Sequence, residues 1–132
     1  MPIERIRPEG LVHSPAFSYV AVVPAGATTI YVGGQNSVAA DGSLVGEGDV
    51  AAQSTRALEN VKIALAAAGA TIEDVVQWTV LFVDGVDLSA AYGAIATELA
   101  SDEPALVTGA RVAGLGVAGA LVEIAAVAAL VP

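Results

Sequence analysis

The run Val75-Val76-Gln77-Trp78-Thr79-Val80-Leu81-Phe82-Val83 sets the first constraint on this chain. It is β-branched and aromatic, and only Gln77 and Thr79 interrupt its apolar character. A half-solvated strand alternates apolar with polar residues, whereas a strand covered on both faces reads as a nearly continuous apolar run. Any fold open to this chain must therefore cover residues 75–83 above and below.

The flanking segments supply helices for that purpose. Asp49 is a suitable N-cap, Leu58, Val61, Leu65 and Ala68 recur at helical spacing, and Gly69 stops the helix. Thr71-Ile72-Glu73-Asp74 forms a short capped turn, and Asp84-Gly85 ends the strand that follows. A second helix is expected over 88–100, with Leu88, Tyr92, Ile95 and Leu99 along one stripe and Pro104 after it. Two further strands are expected over 106–113 and 121–129, with a glycine-rich stretch between them. Upstream, residues 17–23 and 28–32 read as a hairpin around Pro24-Ala25-Gly26-Ala27, preceded by an aperiodic arm over 1–16. The order ββ-α-β-α-β-β predicts a single α+β domain over 1–132, a mixed sheet with both helices on one face.

Composition adds a question of assembly. Apolar residues make up 55% of the chain and charged residues only 14%, more apolar surface than a small monomer can hide. Burial between sister subunits resolves this, so a homo-oligomer is expected. Five Lys+Arg against fourteen Asp+Glu give a net charge of −9, which argues against nucleic acid and anionic membrane surfaces as partners. The most apolar stretch, 105–132, carries Arg111, Glu123 and several glycines, and reads as strands rather than a membrane span. Met1-Pro2-Ile3-Glu4-Arg5 has no apolar run, so no signal peptide is expected and a cytoplasmic location is the default. There is no cysteine, which excludes a thiol nucleophile and thiolate zinc, and His13 alone builds no multi-histidine metal site.

The common catalytic motifs do not occur. The only lysine, Lys62, lies on a helix face outside any phosphate loop, and no GxSxG elbow is present. His13, in Val12-His13-Ser14-Pro15, reads as a structural or solvent-exposed loop residue. Glu123 is the anomaly, a lone carboxylate in Leu121-Val122-Glu123-Ile124-Ala125-Ala126-Val127. An unpaired buried carboxylate is costly, so Glu123 must be paired, protonated or facing a polar pocket. A functional carboxylate and a structural one both satisfy that condition. Arg111 is its cationic counterpart: it can pair with Glu123, grip a carboxylate ligand or reach solvent. A hairpin centred on Val117 would set Arg111 opposite Glu123.

Several stretches together resemble the Rid family, the reactive-intermediate enamine/imine deaminases once called translation inhibitors or perchloric-acid-soluble ribonucleases. They are Ser14-Pro15-Ala16-Phe17-Ser18, Ile30-Tyr31-Val32-Gly33-Gly34-Gln35, the segment from Val50-Ala51-Ala52-Gln53 through Ala57-Leu58-Glu59-Asn60-Val61-Lys62, Ala67 through Val76, and Leu121-Val122-Glu123-Ile124. The resemblance runs from about residue 14 to 129 in the family's order. It implies a chorismate-mutase-like α+β subunit that forms a homotrimer, helices outside and sheets facing a central barrel. It also places the final strand inside the sheet, which separates Arg111 from Glu123. Ligand clefts then lie between subunits and take small 2-oxo or 2-imino acids without metal or organic cofactor.

Carried over residue by residue, the resemblance implies an altered cleft. The arginine that grips the substrate carboxylate falls at Leu106 or Val107. The aromatic hydroxyl near the N-terminus becomes Phe17, the serine before Gly-Gln becomes Gly33, the helix asparagine becomes Tyr92, and the fifth-strand cysteine becomes Thr108. Glu123 matches the glutamate that positions or activates water. The expectation is a homotrimer that binds a small molecule between subunits without standard 2-imino acid deamination. The alternative is a hydrolase on an uncharged imine or enamine, with Glu123 handling the water. Standard deamination would require Arg111 to replace the lost arginine, and a ribonuclease fits poorly with a net charge of −9 and one histidine.

Overall fold

In the computed structural model, which describes all 132 residues, strand β4 (Val75–Val83) is an interior strand of a four-stranded sheet. The sheet order is β3 (Thr28–Gln35), β6 (Val122–Leu130), β4, β5 (Leu106–Val112). β4 runs antiparallel to β6 and parallel to β5, and β6 runs antiparallel to β3. Helices α1 (Val50–Ala67) and α2 (Leu88–Leu99) cover one face. A separate ribbon pairs β1 (Glu4–Ile6) with β2 (Val20–Val22).

Side-chain alternation divides the sheet. Trp78, Val80 and Phe82 of β4 oppose Ala126, Ile124 and Val122 of β6, and all six are buried. They meet Leu58, Val61 and Leu65 of α1 and Ala91 and Ile95 of α2 in one continuous core. The alternate residues, Thr79, Leu81, Glu123 and Ala125 among them, point to the other face, which no helix covers, and are half-buried. Helix ends follow local chemistry. The Asp49 and Asp87 carboxylates accept hydrogen bonds from the Ala52 and Ala90 amides, each at 3.1 Å, and Gly69 adopts a left-handed φ of 78° just past α1. Thr71 and Asp74 close a capping box on the 3₁₀ turn Ile72–Asp74. No helix is long and apolar enough to cross a membrane.

The expected hairpin of residues 17–23 with 28–32 does not form. The run over 17–23 does not pair with the following strand, because β2 pairs with β1 while β3 pairs with β6. Turn chemistry at Pro24–Gly26 suits a reversal, but Ile30 and Val32 gain more by lying beside Ala128 and Ala126 over the core. β1 lies within the arm read as aperiodic, since three residues show no period. It is held by the Arg5 guanidinium, which donates to the Glu73 and Val75 carbonyls at 3.2 and 2.9 Å. β5 and β6 do not form a hairpin about Val117 either. β4 lies between them, the arrangement the family resemblance implies.

Candidate functional site

Glu123 stands on the open face of β6, opposite Leu81, where strand alternation must put it if Val122 and Ile124 fill the core. Its carboxylate forms no ion pair, the salt bridge of the chain being Lys62 with Glu98. The register of β3 shifts between Val32 and Gln35, and this irregularity brings Gly34 under the Glu123 side chain. A Cβ at Gly34 would lie 2.5 Å from Glu123 Oε2 and 2.6 Å from its Cδ. Gly34 is therefore the residue that lets the carboxylate lie against the backbone of β3.

Helix α1 fixes this end of the sheet from the far side. Gln53, fully buried, donates through Nε2 to the Gly46 and Gly119 carbonyls at 3.1 Å each and accepts from the Leu121 amide at 2.8 Å. The Asn60 amide nitrogen donates to the Asn36 and Val38 carbonyls at 2.9 Å, and the Asn36 side chain donates to the Val122 carbonyl at 3.0 Å. The two residues that precede Glu123, Leu121 and Val122, are thus held by side chains 60 or more positions away. Sequence reasoning noted the segment containing Gln53 and Asn60 without assigning these two a role. The available signal was a glutamine and an asparagine among the apolar positions of an amphipathic helix.

Gly33, Leu106 and Thr108 are also on the open face or its edge, and Gln77 Nε2 reaches Thr108 Oγ1 at 3.4 Å. The Ser18 amide donates to the Ala105 carbonyl at 3.2 Å, which sets Phe17 beside the start of β5, where its ring meets Tyr19 edge-on. These residues do not converge on Glu123 within one protomer. Leu106 opposes Gln77, which opposes Val127, so Glu123 lies two strands across and four residues along. That is roughly 10 Å by 13 Å at ordinary strand dimensions.

Val107, Arg111 and Tyr92 belong to the helix side. Val107 packs against the core, and Arg111 opposes Phe82. Arg111 and Tyr92 line a hollow of about 390 Å³ with Phe82, Leu88, Gly109 and Ala110. Burial pushes the Tyr92 hydroxyl above the usual tyrosine range, so it is protonated at neutral pH. Arg111 and Glu123 are on opposite sides of the sheet, and one protomer cannot pair them. Another hollow, of about 380 Å³ at the C-terminal end of α2, contains Arg5, whose guanidinium is already engaged by carbonyls, and is remote from Glu123.

Comparison with known proteins places this geometry in context. The family model described as Endoribonuclease L-PSP matches residues 12–130. A Yersinia pestis protein of the conserved Rid family, YyfB, is 32% identical, with a TM-score of 0.86 over 98% of this chain and 100% of that one. Escherichia coli TdcF, solved with bound serine, is 27% identical, with a TM-score of 0.68 over 98% of each chain. RidA from the Antarctic bacterium Psychrobacter is 25% identical, with a TM-score of 0.69 over 96% of this chain and 94% of that one. None of the curated proteins matches the sequence.

Proposed function

The chain belongs to the Rid family of L-PSP proteins, and within it we propose a homotrimer that binds a small molecule in clefts between subunits without standard 2-imino acid deamination. The observation that carries this reading is the absence of any cationic side chain on the face that bears Glu123. Thr79, Leu81, Ala125, Leu106 and Thr108 share that face, and Leu106 occupies a position the family resemblance gives to the carboxylate-gripping arginine. Without that bidentate anchor an amino-acid-derived imine loses about 1.5–3 kcal/mol of binding. Arg111 does not restore it within a protomer, because it lies across the sheet among Phe82, Leu88 and Tyr92.

The intersubunit location rests on the spread of the site. Leu106, with Phe17 beside the start of its strand, lies at one end of the open face and Glu123 toward the other, so a neighbouring copy is what joins the two ends into one cleft. The serine bound to TdcF, a relative of the same fold, supports a small-molecule ligand. A second reading, hydrolysis of an uncharged imine or enamine, is favoured by the unpaired Glu123 carboxylate against Gly34, able to accept a proton from attacking water.

Ammonia release from 2-iminobutyrate generated by an amino acid oxidase tests the proposal. Background rates are expected. A rate like that of an arginine-bearing member would overturn it, and loss of that rate in Arg111→Ala would assign the anchor to Arg111. Hydrolysis of an uncharged imine, abolished in Glu123→Gln, would select the second reading.

A further inference from the structure

We propose that Asp84 is a modification site: its carboxyl group closes on the Gly85 amide nitrogen to give a cyclic imide, which water reopens to isoaspartate. The inference does not rest on the reading of the open face. In the first step the Gly85 nitrogen attacks Asp84 Cγ, an N–C bond forms, and the amide proton and the carboxyl hydroxyl leave together as water. Hydrolysis returns that water to one of the two imide carbonyls. Opening at the former backbone carbonyl leaves the chain running through Cγ, with the α-carboxylate as the new side group. Glycine is the following residue that suits this step, because no Cβ shields the attacking nitrogen.

Asp41-Gly42 and Asp84-Gly85 are the two pairs of this kind in the chain, and the fold treats them differently. At the first, the Gly42 amide donates to the Ala39 carbonyl at 2.9 Å. Asp41 Oδ1 accepts from the Ser43 amide at 2.9 Å and from the Ser43 hydroxyl at 2.7 Å. The Ala39 amide donates to the Ser43 carbonyl, and Val38 bridges Leu44 across the loop. The hydrogen bonds from Ser43, its amide foremost, hold the Asp41 carboxyl below the usual carboxylate range, which shrinks the protonated fraction the reaction draws on.

At the second pair neither reacting group is engaged. The Gly85 nitrogen donates to nothing in the chain, the Asp84 carboxylate accepts nothing, and both residues are exposed. They form the tip of a turn closed by one hydrogen bond, from the Val86 amide to the Val83 carbonyl at 3.4 Å. Gly85 has a φ of 94°, and a Cβ built on it would meet nothing within 4 Å, so the tip has room to rotate its nitrogen toward the carboxyl. The Asp84 amide donates to the Val112 carbonyl at 2.8 Å, and Asp87 caps α2. Isoaspartate therefore lengthens the backbone by one carbon between the end of β4 and the cap of α2.

Peptide mapping by electron-transfer fragmentation, which tells isoaspartate from aspartate, tests the proposal on protein aged in warm neutral buffer, with a sample aged in urea beside it. The folded protein is expected to build up isoaspartate at Asp84 in several-fold excess over Asp41, while the unfolded chain forms it at both sites at comparable rates. Asp84→Glu, whose ring would need one more atom, should lose the modification at that position and leave Asp41 as it was. Asp84→Asn should raise it, ammonia leaving in place of water. Comparable isoaspartate at both sites in the folded protein, an excess at Asp41, or none at Asp84 where the unfolded chain forms it would each overturn the proposal.

Discussion

On the helix side of the sheet, Trp78, Val80, Phe82, Val122 and Ile124 are buried beneath Leu58, Leu65 and Ile95. One residue further along the same strands, Thr79, Leu81, Glu123 and Ala125 are only half covered, and on β3 the Tyr31 ring is 80% exposed. Packing decides the first face, where volume and shape leave little choice of residue. The second face is small, mixed and apolar enough to meet another surface, and it carries the one carboxylate that packing does not require. A strand whose two faces obey different rules shows where its chain stops being selected for folding alone.

Substitutions on the two faces should separate accordingly. Trp78→Ala on the helix side should lower stability by about 3–5 kcal/mol, measured as the shift in urea midpoint. Gln53→Leu should cost about 1–3 kcal/mol, because the Gly46 and Gly119 carbonyls and the Leu121 amide lose their partner. If it proves neutral, the polar latch behind Glu123 does not hold that end of the sheet. Ala125→Arg on the open face should change monomer stability by no more than about 0.5 kcal/mol while breaking the oligomer, seen by light scattering. A core-sized loss of stability there would erase the distinction between the faces.

Gly34→Ala sharpens the comparison further. The added methyl meets the flexible end of Glu123, so stability should fall little while the carboxylate swings away. Any hydrolytic activity should then drop as far as in Glu123→Gln. The smallest effect concerns Tyr92. Its folded-state pKa is raised by burial, so its contribution is complete below the ordinary value of about 10 and is lost as pH rises through the folded value. Tyr92→Phe should flatten the alkaline decline in urea midpoint between about pH 9 and 11.

The helices, β4 and the late strands were legible because each is long enough to show a period or carries a cap, as Asp49 and Asp87 do. β1 and the β3–β6 pairing were not, since a three-residue strand has no period and pairing between Ile30 and Ala128 is invisible to local turn chemistry. Glu123 stood out as a charge in an apolar strand. Gly34 did not, because its role depends on a strand 89 residues later that folds against it. The separation of Arg111 from Glu123 depended on β4 lying between their strands, which alternation within β5 and β6 does not reveal.

The central claim is that the open face is where copies of the chain meet and where Glu123 works. The mass of the protein in solution by light scattering tests it most directly. The account predicts a species of three chains, each of 13.1 kDa. A stable monomer would leave Leu106 and Glu123 apart on one exposed sheet and contradict the claim.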